Sequence, residues 1–291
     1  MVLKYTAYLC RSNKQVAGFV LLLNLLMSLS MQWWTRSVLL SALLSIITAV
    51  SGYFMAFWPA YIYYRSLYGA EAQLVHQIPA EGRDLLKGHL LFSAGLYLIF
   101  QLLAPGGVLN MFFRPELWAK AAIGTSLFSL KLPSEAGVVY NPFAESAAFG
   151  LALRNYILSH KTILVLFLAF VLLGPVSTYT GIFAAVSRGC RLQARKNRLL
   201  SVLLSYLLLL VILIFSIFVC ISGISVLFIL RRGQQGQAFG DEPFQGPVFE
   251  QPFFADYLGL LLAVLLGFCL LVSIATYFYS RRQLEKKLNI C

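Results

Sequence analysis

Thr162–Phe183 reads TILVLFLAFVLLGPVSTYTGIF and contains no charged residue. A hydrocarbon core about 30 Å thick needs roughly 20 consecutive apolar residues in one α-helix, so this stretch is long enough to cross a bilayer. The same criterion predicts further spans at about 16–34, 37–58, 90–112, 199–230 and 257–279. The 199–230 run exceeds one upright crossing and is expected to tilt or to extend past the membrane. Pro105-Gly106-Gly107 interrupts the 90–112 run, which is tolerated where neighbouring helices or water satisfy the freed backbone groups. The expected fold class is all-α: a polytopic membrane protein, with a single transmembrane domain over 1–291 and six transmembrane helices.

Composition agrees with that class. Hydrophobic residues make up 59% of the chain and charged residues 12%, with a mean hydropathy of +0.78. A soluble domain usually holds about half apolar and about a quarter charged residues. The first apolar run follows Lys4, Arg11 and Lys14, as in a signal peptide, but no small-residue cleavage site comes after it. Gln32-Trp33-Trp34 reads instead as an interfacial aromatic anchor, so the run is expected to remain in the mature protein.

The formal net charge of +12 is unevenly placed. With Met1 in the cytoplasm, the first segment, 59–89, 187–198 and the tail lie inside. They hold 15 Lys/Arg against four acids, Glu71, Glu81, Asp84 and Glu285. The segments left outside hold eight Lys/Arg against seven acids. Short loops with an excess of Lys/Arg stay in the cytoplasm, so both termini are expected to be cytoplasmic, with extracellular segments at 109–161 and 231–256. A basic chain can also signal nucleic acid, but no cationic patch interleaved with aromatics sits on a polar domain, and no nucleic-acid partner is expected. The five cysteines fall in spans or on the inner side and imply no disulfide framework.

Within 109–161, Trp118–Ser129 and Ala144–Ile157 are apolar enough for interfacial or re-entrant helices. The 231–256 segment is rich in Gly, Pro, Gln and Phe and reads as an irregular loop. Its phenylalanines are expected to anchor at the membrane interface.

Chemistry inside the membrane needs paired His, Asp or Glu on facing helices, and the spans hold almost none. Asn24 is expected to join helices by hydrogen bonding rather than to meet a substrate. His76, His89 and His160 show no metal-ligand spacing, and His76 and His89 are expected at the interface, packed or facing solvent. No GxxxxGK[ST] phosphate loop is present, so the chain has no nucleotide site of that kind. It is expected not to be an enzyme by itself, with no catalytic residue, cofactor or metal. Ion coupling through buried charges is disfavoured by the same lack of ionisable residues.

The polar segment 65–89 stands apart. Ala70–Ile78 has helix-compatible residues, and Pro79 ends that piece because proline removes a backbone donor and clashes with the preceding turn. Glu81-Gly82-Arg83-Asp84 begins a second helical piece, with acids placed favourably for the helix dipole. Two short helices broken by a proline form an elbow on the cytoplasmic surface; a solvated connecting loop is the other reading of the same composition.

Tyr64-Arg65-Ser66-Leu67-Tyr68-Gly69-Ala70-Glu71-Ala72, then Gln73 through Ile78-Pro79 and Leu85-Leu86-Lys87-Gly88, resembles permease subunits of type-2 ATP-binding-cassette (ABC) exporters from Gram-positive bacteria. These often carry an R-x-x-Y-G-x-E-A-x-L element, a leucine–proline pair and a basic residue before the third span. The junction of Tyr179–Val186 with Leu192–Leu200 is similar to the family's loop between its fourth and fifth spans. The tail Leu284-Glu285-Lys286-Lys287-Leu288-Asn289-Ile290 is similar to its L-x-K-K-L-N-L ending.

The resemblance implies a multi-pass protein of the bacterial cytoplasmic membrane, driven by a separate cytoplasmic ABC ATPase subunit and paired with a second permease copy or a paralogue. It also implies that 65–89 docks in a groove of that ATPase. Leu67, Tyr68, Leu74 and Ile78 would be the apolar anchors, Arg65, Glu71, Glu81 and Arg83 the charges that fix register, and Gly69 and Pro79 would also lie at the contact. The cargo expected from apolar walls and aromatic outer loops is a peptide, a lipid or a hydrophobic small molecule, with membrane lipid as the surrounding partner. The alternative is a non-transporting membrane scaffold or sensor that binds a cytoplasmic partner through the same segment; a membrane-embedded enzyme comes third.

Overall fold

The computed structural model describes residues 1–34, 36, 38–68, 81–122, 142–191, 207, 222 and 252–288, and every regular element among them is helical. In chain order these are α1 (Val2–Ser12), α2 (Lys14–Leu29), α3 (Met31–Trp34), α4 (Val38–Leu67), α5 (Gly82–Leu103), α6 (Val108–Phe113), α7 (Pro115–Ala122), α8 (Pro142–Ser159), α9 (Lys161–Arg191) and α10 (Pro252–Leu288).

Among the described residues, four helical stretches are long and apolar enough to cross a membrane: Ile46–Leu67, Gly82–Phe113, Lys161–Cys190 and Leu258–Glu285. They overlap the runs expected at 37–58, 90–112, 162–183 and 257–279, with Ile46–Leu67 displaced towards the C-terminus from 37–58 and Gly82–Phe113 beginning before 90. The run expected at 16–34 does not form one helix. α2 stops at Leu29, and Ser30 turns the chain before α3. Ser30 Oγ donates to the Leu26 carbonyl at 2.8 Å and accepts from Trp34 Nε1 at 3.1 Å, a side-chain bond that competes with the helical ladder. Apart from Leu207 and Ser222, the 199–230 run lies outside the described residues, as does nearly all of 231–256.

What surrounds these helices follows from their exposure. Only 6% of the apolar stretch of α10 is buried, and Leu271, Ile274 and Phe278 stand open. A soluble monomer rarely exposes an apolar face of that extent. Hydrocarbon accommodates it, and the protein is membrane-embedded.

The chain divides into two compact units, one of Met1–Tyr5, Ala60–Ser93 and His160–Cys291, the other of Thr6–Pro59 and Ala94–Ser159. In the second unit Met27, Met31 and Leu44 form a core against which Leu23, Trp34, Ile47 and Leu117 pack. Asn24 is fully buried there. It donates to the Val20 carbonyl at 2.9 Å and accepts from Ser51 Oγ at 3.1 Å, so it joins α2 to α4 as expected of a polar residue between membrane helices.

The Pro105-Gly106-Gly107 interruption ends α5, and the second unit satisfies the freed groups. Asn110 Nδ2 donates to the Ala104 carbonyl at 2.9 Å and to Ser28 Oγ at 2.7 Å, and Trp118 Nε1 donates to the Gly106 carbonyl at 3.0 Å. Helices α7 and α8 pack on each other and cover parts of the stretches expected to form interfacial or re-entrant helices at 118–129 and 144–157.

In the first unit α9 lies along α10. The helix of α9 runs past the expected end of its span at 183 to Arg191, and Tyr179–Ser187 is a continuously buried run. Gly181, Ala184 and Ala185 within it are small enough for close approach of neighbouring backbone.

Candidate functional site

The first unit contains a buried polar and aromatic cluster at the two ends of the 65–89 segment. Helix α4 supplies Tyr63 and Ser66 in its last turns, with Tyr68 just beyond it. Helix α5 supplies His89, α9 supplies Tyr179, Phe183 and Ser187, and α1 supplies Tyr5. The helices carry these residues at turn spacing: Tyr63 and Ser66 are three apart, and Tyr179, Phe183 and Ser187 recur every four. Each group therefore shares one face of its helix.

His89 is at the centre and is wholly buried. Its Nε2 lies 2.9 Å from Ser66 Oγ and 2.9 Å from Tyr5 Oη. Ser66 Oγ also donates to the Ile62 carbonyl at 2.7 Å. Ser66 and Tyr5 therefore share one ring nitrogen, which either can donate to or accept from according to the tautomer. Nδ1 has no hydrogen-bond partner among the described residues, and neither has Ser93 Oγ one turn further along α5. The rings of Tyr5 and Tyr63 stand edge-on to His89 with centroids at 5.3 Å, and Tyr63 stacks on Phe183 at 4.0 Å.

A second branch runs through Ser187. Its Oγ accepts from Tyr68 Oη at 3.0 Å and lies 3.1 Å from Tyr63 Oη. Tyr68 follows the last residue of the membrane-crossing helix, and burial pushes its phenol up to about 12. It is a hydroxyl donor throughout the physiological range.

A serine within 2.9 Å of a histidine invites a hydrolytic reading. A nucleophilic serine must give its proton to Nε2, and the histidine needs a group orienting Nδ1. Here Ser66 donates to a backbone carbonyl, Nδ1 has no partner among the described residues, and both residues are buried. The pair ties α4 to α5. Among the described residues no group of three His, Cys, Asp or Glu is placed to hold a metal ion.

The residues expected to meet a partner fall into three sets. Arg65 and Arg83 are exposed, the latter paired with Glu81. Leu67 is fully buried, and Tyr68 points its hydroxyl at Ser187 and so belongs to the cluster. Gly69, Glu71, Leu74, Ile78 and Pro79 lie outside the described residues.

His89 was expected at the interface, packed or facing solvent. It is packed, with no exposed surface, in a helical stretch long and apolar enough to cross a membrane. The signal that could have located it is the Tyr179, Phe183, Ser187 stripe on an otherwise aliphatic helix, which requires a polar partner. No protein-family model, characterised protein or solved structure matches the chain.

Proposed function

We propose that this chain is the membrane-spanning permease subunit of an ABC exporter in the bacterial cytoplasmic membrane, driven by a separate cytoplasmic ATPase subunit. One observation supports it most. The two ends of the 65–89 segment meet in one buried network, Ser66 and Tyr68 from the first end and His89 from the second. A force applied between those ends is passed directly into α4, α5 and α9, because packed side chains resist deformation and shift as a body. Arg65, Arg83 and the intervening Gly69, Glu71, Leu74, Ile78 and Pro79 would meet the ATPase, with Leu67 and Tyr68 fastening the segment from within. A second permease copy or a paralogue completes the pathway, since paired ATPases call for paired permeases. The cargo class that suits the apolar walls is a peptide, a lipid or a hydrophobic small molecule.

The test is co-expression with a candidate cytoplasmic ABC ATPase, followed by ATP hydrolysis in proteoliposomes. Arg65→Glu and Glu71→Lys are expected to insert normally and to lower permease-stimulated hydrolysis by roughly tenfold, the scale of losing a central interfacial charge. Unchanged co-purification and stimulation in both variants rules out the coupling role. Co-purification without any stimulation in the unmodified protein favours the scaffold instead.

A further inference from the structure

Helix α1 carries two faces with different partners. Tyr5 and Leu9 are buried on one, and Tyr5 holds His89. On the opposite face Lys4 and Arg11, two turns apart, are exposed, and Lys14 follows at the start of α2. Leu3 and Tyr8 stand open beside these cations, at 75% and 62% exposure. Residues 1–70 contain no acid at all, so nothing in that part of the sequence neutralises the cationic face. Helix α2 continues one residue after α1 and exposes Phe19, Leu22, Leu26 and Leu29, a surface for hydrocarbon. The cations thus stand where an apolar helix begins.

We propose that α1 is a docking arm for the anionic phospholipid headgroups of the leaflet it meets, and that its seat on the lipid is transmitted through Tyr5 and His89 to the end of α4 and the start of α5. Basic side chains near an anionic bilayer surface attract it strongly, and the attraction decays within a Debye length. Leu3 and Tyr8 add apolar contact at the interface, as in other basic amphipathic helices. Because Tyr5 projects from the same helix onto His89, any rotation of α1 set by the lipid is felt where Ser66 shares Nε2. Lipid charge would then regulate the segment proposed above to meet the ATPase. The docking itself rests only on the membrane-embedded class.

Cys10 is exposed on α1 and supplies the probe. The full chain, with Cys190, Cys220, Cys269 and Cys291 changed to serine and bimane on Cys10, is placed in nanodiscs of phosphatidylcholine alone or with phosphatidylglycerol. Quenching by acrylamide, a neutral reagent indifferent to lipid charge, should fall roughly twofold with the anionic lipid, and the difference should vanish at about 0.5 M salt and in Lys4→Gln/Arg11→Gln/Lys14→Gln. Equal quenching in both lipids, or a difference that survives in the triple variant, overturns the docking. Amide exchange at Tyr64–Tyr68 and Gly82–His89 should slow in anionic lipid, persist in slowing with Tyr8→Phe and lose the difference with Tyr5→Phe. No lipid-dependent exchange, or a difference retained in Tyr5→Phe, overturns the transmission. No ATPase is present in either measurement, so failure here is separate from failure of the exporter reading.

Discussion

Tyr68 shows how one residue can belong to two jobs. The sequence places it among apolar anchors for a partner, and the structure turns its hydroxyl inward to Ser187. Burial disfavours the phenolate and pushes its phenol up from the ordinary 10.0 to about 12. The folded state therefore holds this proton more tightly than the unfolded chain does. The resulting stabilisation is intact below pH 10 and is lost as pH climbs towards about 12. Thermal unfolding in detergent across that window should show a fall in stability that is shallower in Tyr68→Phe. At neutral pH the same substitution should cost about 1 kcal/mol, one net hydrogen bond. An identical alkaline profile in the variant would mean that Tyr68 does not stay protonated through its burial. His89 shows the converse: read alone it was an interfacial histidine, and only its neighbours reveal it as the junction of α1, α4 and α5.

The end of α5 was legible as a break and not as a built one. Proline and adjacent glycines announce an interruption in any apolar run, but the sequence does not say what satisfies the carbonyls so released. Gly107 answers part of that. A Cβ there would collide with the Gln101 carbonyl oxygen and come within 2.7 Å of that of Ala104, while the Gly107 amide donates to Ala104 at 2.7 Å. Gly107→Ala should therefore destabilise the protein by about 1–3 kcal/mol, the usual cost of forcing atoms into a packed site. Gly106→Ala, which meets nothing nearby, should cost far less. The measurement is thermal unfolding followed by tryptophan fluorescence, since Trp118 donates to the Gly106 carbonyl. Equal melting temperatures for the two variants would contradict the close approach. The halt of α2 at Ser30 was not foreseen for a related reason: an apolar run has one hydropathy whether or not a serine inside it bonds back to the previous turn.

For the whole molecule, charge asymmetry makes a prediction about sidedness. Cys10, in a segment expected inside, and a cysteine placed at exposed Glu116, in a segment expected outside, should differ in reach. In intact cells expressing otherwise cysteine-free protein, a membrane-impermeant maleimide should label Glu116→Cys and spare Cys10 until the membrane is opened. Labelling of Cys10 in sealed cells would invert the topology and remove 65–89 from the reach of a cytoplasmic partner.

The helical, membrane-embedded class was fixed by amino-acid order alone, because hydrocarbon tolerates only long apolar helices or closed barrels, and transfer free energy is a property of each residue summed along a run. Four helical stretches long and apolar enough to cross a membrane overlap four of the expected runs for the same reason. Three things needed the tertiary structure. These were the break in the first run, the depth to which α9 stays helical and buried, and the convergence of Tyr5, Tyr63, Ser66, Tyr68, His89 and Ser187 from four separate stretches of chain. Hydrogen bonds and ring contacts depend on distances of a few ångströms between residues up to 124 positions apart, and no pattern of hydropathy encodes those distances. The run Thr162–Phe183 identified a helix in a membrane. That the same helix, eight residues after Tyr179, brings Ser187 to the base of 65–89 was decided by packing.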